Sequence, residues 1–151
     1  MNYKYNDGGR KEAGYKGKAG DCVVRAIAIA LDLPYKQVYN ELREANKKYS
    51  LTKRTRQAKK IKSKGITPRD GNFREVYEPY LKSKGWEWTP TMKIGEGCKV
   101  HLNKDELPTG RLIVRVSRHL TTIIDGVIND THDPSRDGTR CVYGYYKKGG
   151  K

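Results

Sequence analysis

Apolar residues follow a helical period in the first half of the chain and a period of two in the last third. The run Cys22-Val23-Val24-Arg25-Ala26-Ile27-Ala28-Ile29-Ala30-Leu31 is apolar nearly all round. Its alanines favour helix, and a helix apolar on every face is a buried one. Asp21 suits the N-cap, which places Cys22 in the first turn, and Pro34 stops the helix. Tyr35, Val38, Tyr39 and Leu42 then recur at amphipathic spacing and predict a second helix. A third has Asn72 as its cap, Phe73, Val76, Tyr77, Tyr80 and Leu81 on one stripe, and Gly85 at its end.

From Arg111 the pattern alternates. Leu112, Val114 and Val116 share one face of a strand, and Arg111, Ile113 and Arg115 the other. His119 to Ile124 and Val127 to Asp130 flank Asp125-Gly126, a strong two-residue hairpin signal. With those two residues as the turn, opposed positions sum to 251. Thr121 then faces Asp130, and His119 faces His132. Cys141 to Tyr146 is a final β-type segment. Helices first and an antiparallel sheet after them predict an α+β domain.

Between the helices lies a basic stretch. Ala45 to Arg69 holds no acidic residue, and nine cations occupy the 18 positions from Lys47 to Lys64. Leu51, Ala58 and Ile61 are its few apolar anchors, so it reads as a weakly held, solvated helix or a mobile excursion. Residues 1–20 carry five glycines and almost no aliphatic side chains, and read as a flexible arm. They contain no apolar h-region, so no secretory signal is expected. Residues 147–151 read as a basic tail.

Composition narrows the class. The chain has 151 residues, which argues for one domain, and a net charge of +15. No apolar run approaches the roughly 20 residues that span a bilayer. Three widely spaced cysteines do not make a disulfide framework, and suggest a reducing compartment. No membrane partner and no cofactor are expected.

Three groups of residues could carry chemistry. Cys22 sits where first-turn N–H groups and the helix dipole favour a thiolate, the nucleophilic form. A nucleophilic thiol needs a base and an orienting group. His119 opens a hairpin strand at a cleft edge, and the register puts Asp130 on its face, diagonally adjacent, with Asn129 pointing the other way. A bulge would invert that parity and select Asn129. The second group is Cys98-x-x-His101 with His132 and Cys141. It has only partly metal-like spacing, and Cys98 reads better as an incidental free thiol in a glycine-rich turn. The third is the basic stretch, with Lys53, Arg54, Arg56, Lys59 and Lys60 suited to track a phosphate backbone or meet an acidic protein.

A Cys at the start of an N-terminal helix, a His on a C-terminal strand and an Asp on the next resemble the papain-like cysteine peptidases. Asp21-Cys22 resembles the branch that processes bacteriocin leader peptides. Gly20-Asp21-Cys22-Val23-Val24-Arg25-Ala26 and the His119–Asp130 hairpin are more similar still to small phage-encoded proteins of that type. The motifs cover roughly a third of the chain. The resemblance implies a single papain-like domain over 21–146, with Cys22 as nucleophile, His119 as base and Asp130 as orienting residue. It further implies a peptide or protein substrate, and action in a host bacterial cytoplasm. Such enzymes place a Gln before the Cys as an oxyanion donor. Here Gln37 and Gln57 both follow Cys22, leaving the Cys22 N–H and a donor from the 14–21 loop, Lys16 or Lys18. A missing donor costs on the order of 10²–10³ in rate. The alternative is therefore a non-catalytic, basic nucleic-acid-binding or host-interaction protein on the same fold.

Overall fold

A computed structural model describes residues 1–16 and 20–149 of the chain. The architecture is α+β. Helices α1 (Cys22–Leu31), α2 (Tyr35–Thr52), α3 (Arg56–Lys64) and α4 (Arg74–Ser83) accompany six strands. The strands are β1 (Asn2–Tyr5), β2 (Trp86–Pro90), β3 (Arg111–Val116), β4 (His119–Ile124), β5 (Val127–Asp130) and β6 (Gly144–Lys148), in the sheet order β1-β5-β4-β3-β6-β2.

The central hairpin has the predicted register, with Thr122 opposite Asn129 and Ile123 opposite Ile128. Asp125 (φ 48°) and Gly126 (φ 80°) are both left-handed, as a two-residue turn between right-twisted strands requires. Helix α1 packs on β4, and Val24, Ile27, Val38, Leu42, Leu81, Ile113 and Tyr146 form the core on that face. The opposite face is covered by irregular chain, through Leu102, Leu107 and Val142 against Leu112, Val114, Ile123 and Ile128. Gly144 lets β6 pass under β2, since a Cβ there would meet the Trp88 ring at 2.3 Å.

Several expectations are corrected. The N-terminal arm is not all loop: Asn2–Tyr5 pairs in parallel with β5, so the sheet is mixed rather than wholly antiparallel. Of the two readings of the basic stretch, the solvated helix is the one found: it is formed by the end of α2 and by α3 and pinned by buried Ala58 and Ile61, whereas Leu51 is exposed and anchors nothing. The third predicted helix, α4, begins at Arg74 with Phe73, not Asn72, in the capping position. Trp86–Pro90 is a strand that the sequence pattern did not reveal. The final strand starts at Gly144, and Lys147 and Lys148 of the supposed tail belong to it. Cys98 is not a free thiol: it is disulfide-bonded to Cys141, with Cα atoms 5.9 Å apart. That pairing removes the support which the cysteine count lent to a reducing compartment. Among the described residues, no helix is long and apolar enough to cross a membrane.

Candidate active site

Cys22 is the first residue of α1, so its N–H belongs to the group that helix geometry leaves without an intrahelical acceptor. Asp21 occupies the capping position, but its side chain makes no capping bond. It is turned into the interior, where it accepts from Arg25 Nε at 3.0 Å and from the Tyr35 hydroxyl, and pairs with Arg10 Nε at 3.0 Å. The carboxylate thus fixes the first turn by anchoring it to α2 and to the N-terminal segment.

His119 sits at the start of β4, one turn after β3, and faces Cys22 across the cleft. Its Nε2 lies 2.7 Å from Asp130 Oδ2. The ring lines the same cleft as the Cys22 thiol, close enough for each group to shift the ionisation of the other. Asp130 is buried and fully engaged. Thr121 Oγ1 donates to Oδ2 at 2.7 Å, Arg25 Nη1 to Oδ1 at 3.0 Å, and the Thr131 N–H to Oδ1 at 2.7 Å. Asn129 points to the other face, where its Oδ1 accepts from Asn6 at 3.2 Å and its amide donates to the Val127 carbonyl. Register without a bulge therefore selects Asp130, and the structure brings Cys22, His119 and Asp130 into one line.

The electrostatics follow from this line. Burial alone would push the Cys22 thiol up. The hydrogen bond and charge of His119, the Leu120 N–H and the Arg25 charge outweigh it and hold the thiol below its ordinary value. Burial would likewise lower His119, but Asp130 and the Cys22 thiolate raise it to about 9. Burial opposes ionisation of Asp130, yet His119, Thr121 and the Thr131 N–H hold its carboxyl below the usual range. The two shifts act in the same sense, toward the thiolate–imidazolium form of the pair.

The thiol opens into a cleft of about 690 Å³ walled by Val23, Asn72, Phe73, Tyr77, Arg118 and Leu120. Arg25, Arg74, Arg115 and Arg118 border it, against Glu75 as the one carboxylate among its described lining residues. Lys16 does not reach this cleft. It lines a separate cavity beside Asp21, and its carbonyl accepts from Arg10 and Arg69. Lys18 lies outside the described residues. The cleft offers the Cys22 N–H and the guanidinium groups that border it, while the Asn72 amide donates to Asn46 at 3.4 Å.

Comparison with known protein families, curated proteins and solved structures yields no match. The site is therefore read from its own geometry. The metal-like set does not assemble: Cys98 and Cys141 are bonded to each other, His101 Nδ1 pairs with Glu106 at 3.1 Å, and His132 lies elsewhere, beside His119. His119, Asp130 and His132 do bring ligand atoms within 4.8 Å of one another. The Asp130 oxygens, however, already accept from four groups, and a cation there would have to displace Arg25 or Thr121.

Of the basic candidates, Lys53 and Arg54 join α2 to α3, and Arg56, Lys59 and Lys60 lie exposed along α3. Among the described residues none of the five pairs with a carboxylate. Lys60 lines a pocket of about 390 Å³ that shares Asn72 and Phe73 with the Cys22 cleft. Sequence reasoning missed Arg25, Thr121 and the Arg118 side of the cleft. Two of these had a signal: Arg25 is four residues beyond Asp21 on the same helix, and Thr121 stands opposite Asp130 in the sum-251 register.

Proposed function

We propose that the protein is a thiol hydrolase of papain-like type, acting on a peptide, isopeptide or related amide bond. The observation that carries this reading is that Cys22, at the start of a helix, and His119 line one cleft, with the His119 ring bonded to the buried Asp130 carboxylate. The Cys22 thiolate attacks the carbonyl carbon and forms the C–S bond. The charge moves to the carbonyl oxygen, toward the Cys22 N–H at the helix start. His119, held as imidazolium by Asp130, gives its proton to the leaving nitrogen as the C–N bond breaks. Water then attacks the thioester, with His119 taking its proton and the thiol leaving as the acid is released. Asp130 orients the ring and stabilises its charge.

The unpaired cations on and before α3 favour a second reading, in which the same fold binds nucleic acid or an acidic host protein without turnover. The two separate in a bacterial lysate incubated with the wild type or with Cys22→Ala. Mass spectrometry of newly exposed amines, α-amino and lysine ε-amino, should show products only with the wild type. Identical amine profiles for the two proteins would remove the hydrolase reading.

A further inference from the structure

Beside the Cys22 cleft lies a second, strongly polar pocket of about 460 Å³, bounded by Ser117, Arg118, His119, His132, Arg136 and Arg140. It shares Arg118, His119 and His132 with the cleft, so the two are continuous at the catalytic imidazole. Three arginines converge on it from two separate segments, the turn between β3 and β4 and the 131–140 loop.

These arginines differ from the others near the site. Arg10 and Arg25 pair with Asp21, and Arg74 with Glu78. Among the described residues, Arg118, Arg136 and Arg140 pair with no carboxylate. Asp133, in the same loop, uses Oδ1 to accept the Ser135 N–H. Arg140 is fixed by donating to the Pro134 and Ser117 carbonyls, which braces the loop against the turn. Burial, and after it the adjacent charge of Arg136, pulls Arg140 below its ordinary value. Arg118 (φ 57°) and Arg136 (φ 52°) both hold a left-handed backbone, where glycine or asparagine is the ordinary occupant. Long cationic side chains thus stand at positions whose backbone disfavours them, around one polar pocket.

We propose that Arg118, Arg136 and Arg140 form a specificity subsite that binds an acidic side chain of the substrate, adjacent to the bond attacked by Cys22. The inference rests on the thiol-hydrolase reading and names its substrate class: a protein or peptide carrying Asp or Glu beside the scissile amide. Charge-assisted hydrogen bonds from a guanidinium fork suit a carboxylate, and the fixed Arg140 needs little ordering to make them.

The experiment measures alkylation of Cys22 at pH 6 by iodoacetamide, iodoacetyl-Glu-amide, iodoacetyl-Gln-amide and iodoacetyl-phosphoserine-amide. In the wild type the Glu reagent should react about tenfold faster than the Gln reagent, the scale of a charge-assisted contact. Arg118→Gln/Arg136→Gln, whose side chains are both exposed, should bring that ratio, each rate taken relative to the same protein's iodoacetamide rate, close to one. Lys93→Gln/Lys99→Gln removes the same charge at a distance and should keep the wild-type ratio. Equal Glu and Gln rates in the wild type, or an equal fall in both double variants, would overturn the subsite while leaving the reactive thiol standing. A phosphoserine reagent faster than the Glu reagent would overturn the acidic side chain in favour of a phosphate. If iodoacetamide shows no preference for Cys22, it is the hydrolase reading that falls. The subsite is then read by fluorescence anisotropy on Cys22→Ala, where fluorescein-labelled Glu-Gly repeats should bind more tightly than Gln-Gly repeats. Failure of Arg118→Gln/Arg136→Gln to weaken that binding would overturn it.

Discussion

Arg25 Nη1 donates to Asp130 Oδ1 at 3.0 Å, which ties the helix that begins with Cys22 to the strand whose carboxylate holds His119. The same guanidinium donates through Nε to Asp21. One buried side chain therefore sets the distance between nucleophile and base, because both of their supports converge on it. Arg25→Leu should destabilise the fold by about 3–5 kcal/mol, since it leaves two buried carboxylates short of a partner. Arg25→Lys should recover only part of this, because an ammonium is a point charge and not a fork that spans both acids. Urea unfolding at pH 7 measures both. A loss under about 1 kcal/mol for Arg25→Leu would show the pairing to be incidental.

The protonation of His119 follows from its two neighbours. An NMR titration of its ring should give a midpoint of about 9, against an ordinary 6.5. Cys22→Ser and Asp130→Asn should each lower the midpoint, because each removes a negative partner. The stability consequence has a definite sign. In the wild type the lowered Cys22 thiol releases a proton on folding while the raised His119 takes one up, so the two contributions to the pH slope oppose each other. In Cys22→Ser only His119 remains. Its raised folded value contributes stability that is complete below about 6.5 and is lost as pH rises through the folded midpoint. A wild-type midpoint near 6.5 would show that the imidazole is not held charged.

The basic helix gives the opposing reading its own test. Neutral replacements at Lys53, Arg54, Arg56, Lys59 and Lys60 remove up to five phosphate contacts. If nucleic acid is the partner, the logarithmic salt slope of duplex binding should fall by up to ~0.9 per lost contact, and Cys22→Ala should leave binding intact. If the hydrolase reading holds, the same replacements should act mainly on encounter rate with an acidic substrate, an effect that salt suppresses. Filter binding across a salt series separates the two.

The parts of this molecule that were legible in its sequence are those governed by local periodicity. The Asp125-Gly126 turn set the register, and the register placed Asp130 beside His119. The all-apolar run at 22–31 announced a buried helix, and its first residue followed. What escaped depends on distant partners. Asn2–Tyr5 is exposed throughout and has no aliphatic side chain, so only its pairing with β5 makes it a strand. The Cys98–Cys141 bond joins two irregular segments 43 residues apart. Asp21 looked like a cap because its type and position suit one, but its carboxylate is taken up by the buried Arg25 guanidinium and the Tyr35 hydroxyl instead of the first-turn N–H groups. The Arg118 pocket is built from a hairpin turn and a loop whose meeting no spacing rule describes.

The central claim is that Cys22 is an activated nucleophile, and a short iodoacetamide pulse near pH 6 tests it most directly. After reduction of the Cys98–Cys141 bond, mass spectrometry reads the labelling of all three thiols. Cys22 should be labelled well ahead of Cys98 and Cys141, although Cys98 is the more exposed, and His119→Ala should remove this lead. Equal labelling of the three, or labelling of Cys98 first, would contradict it.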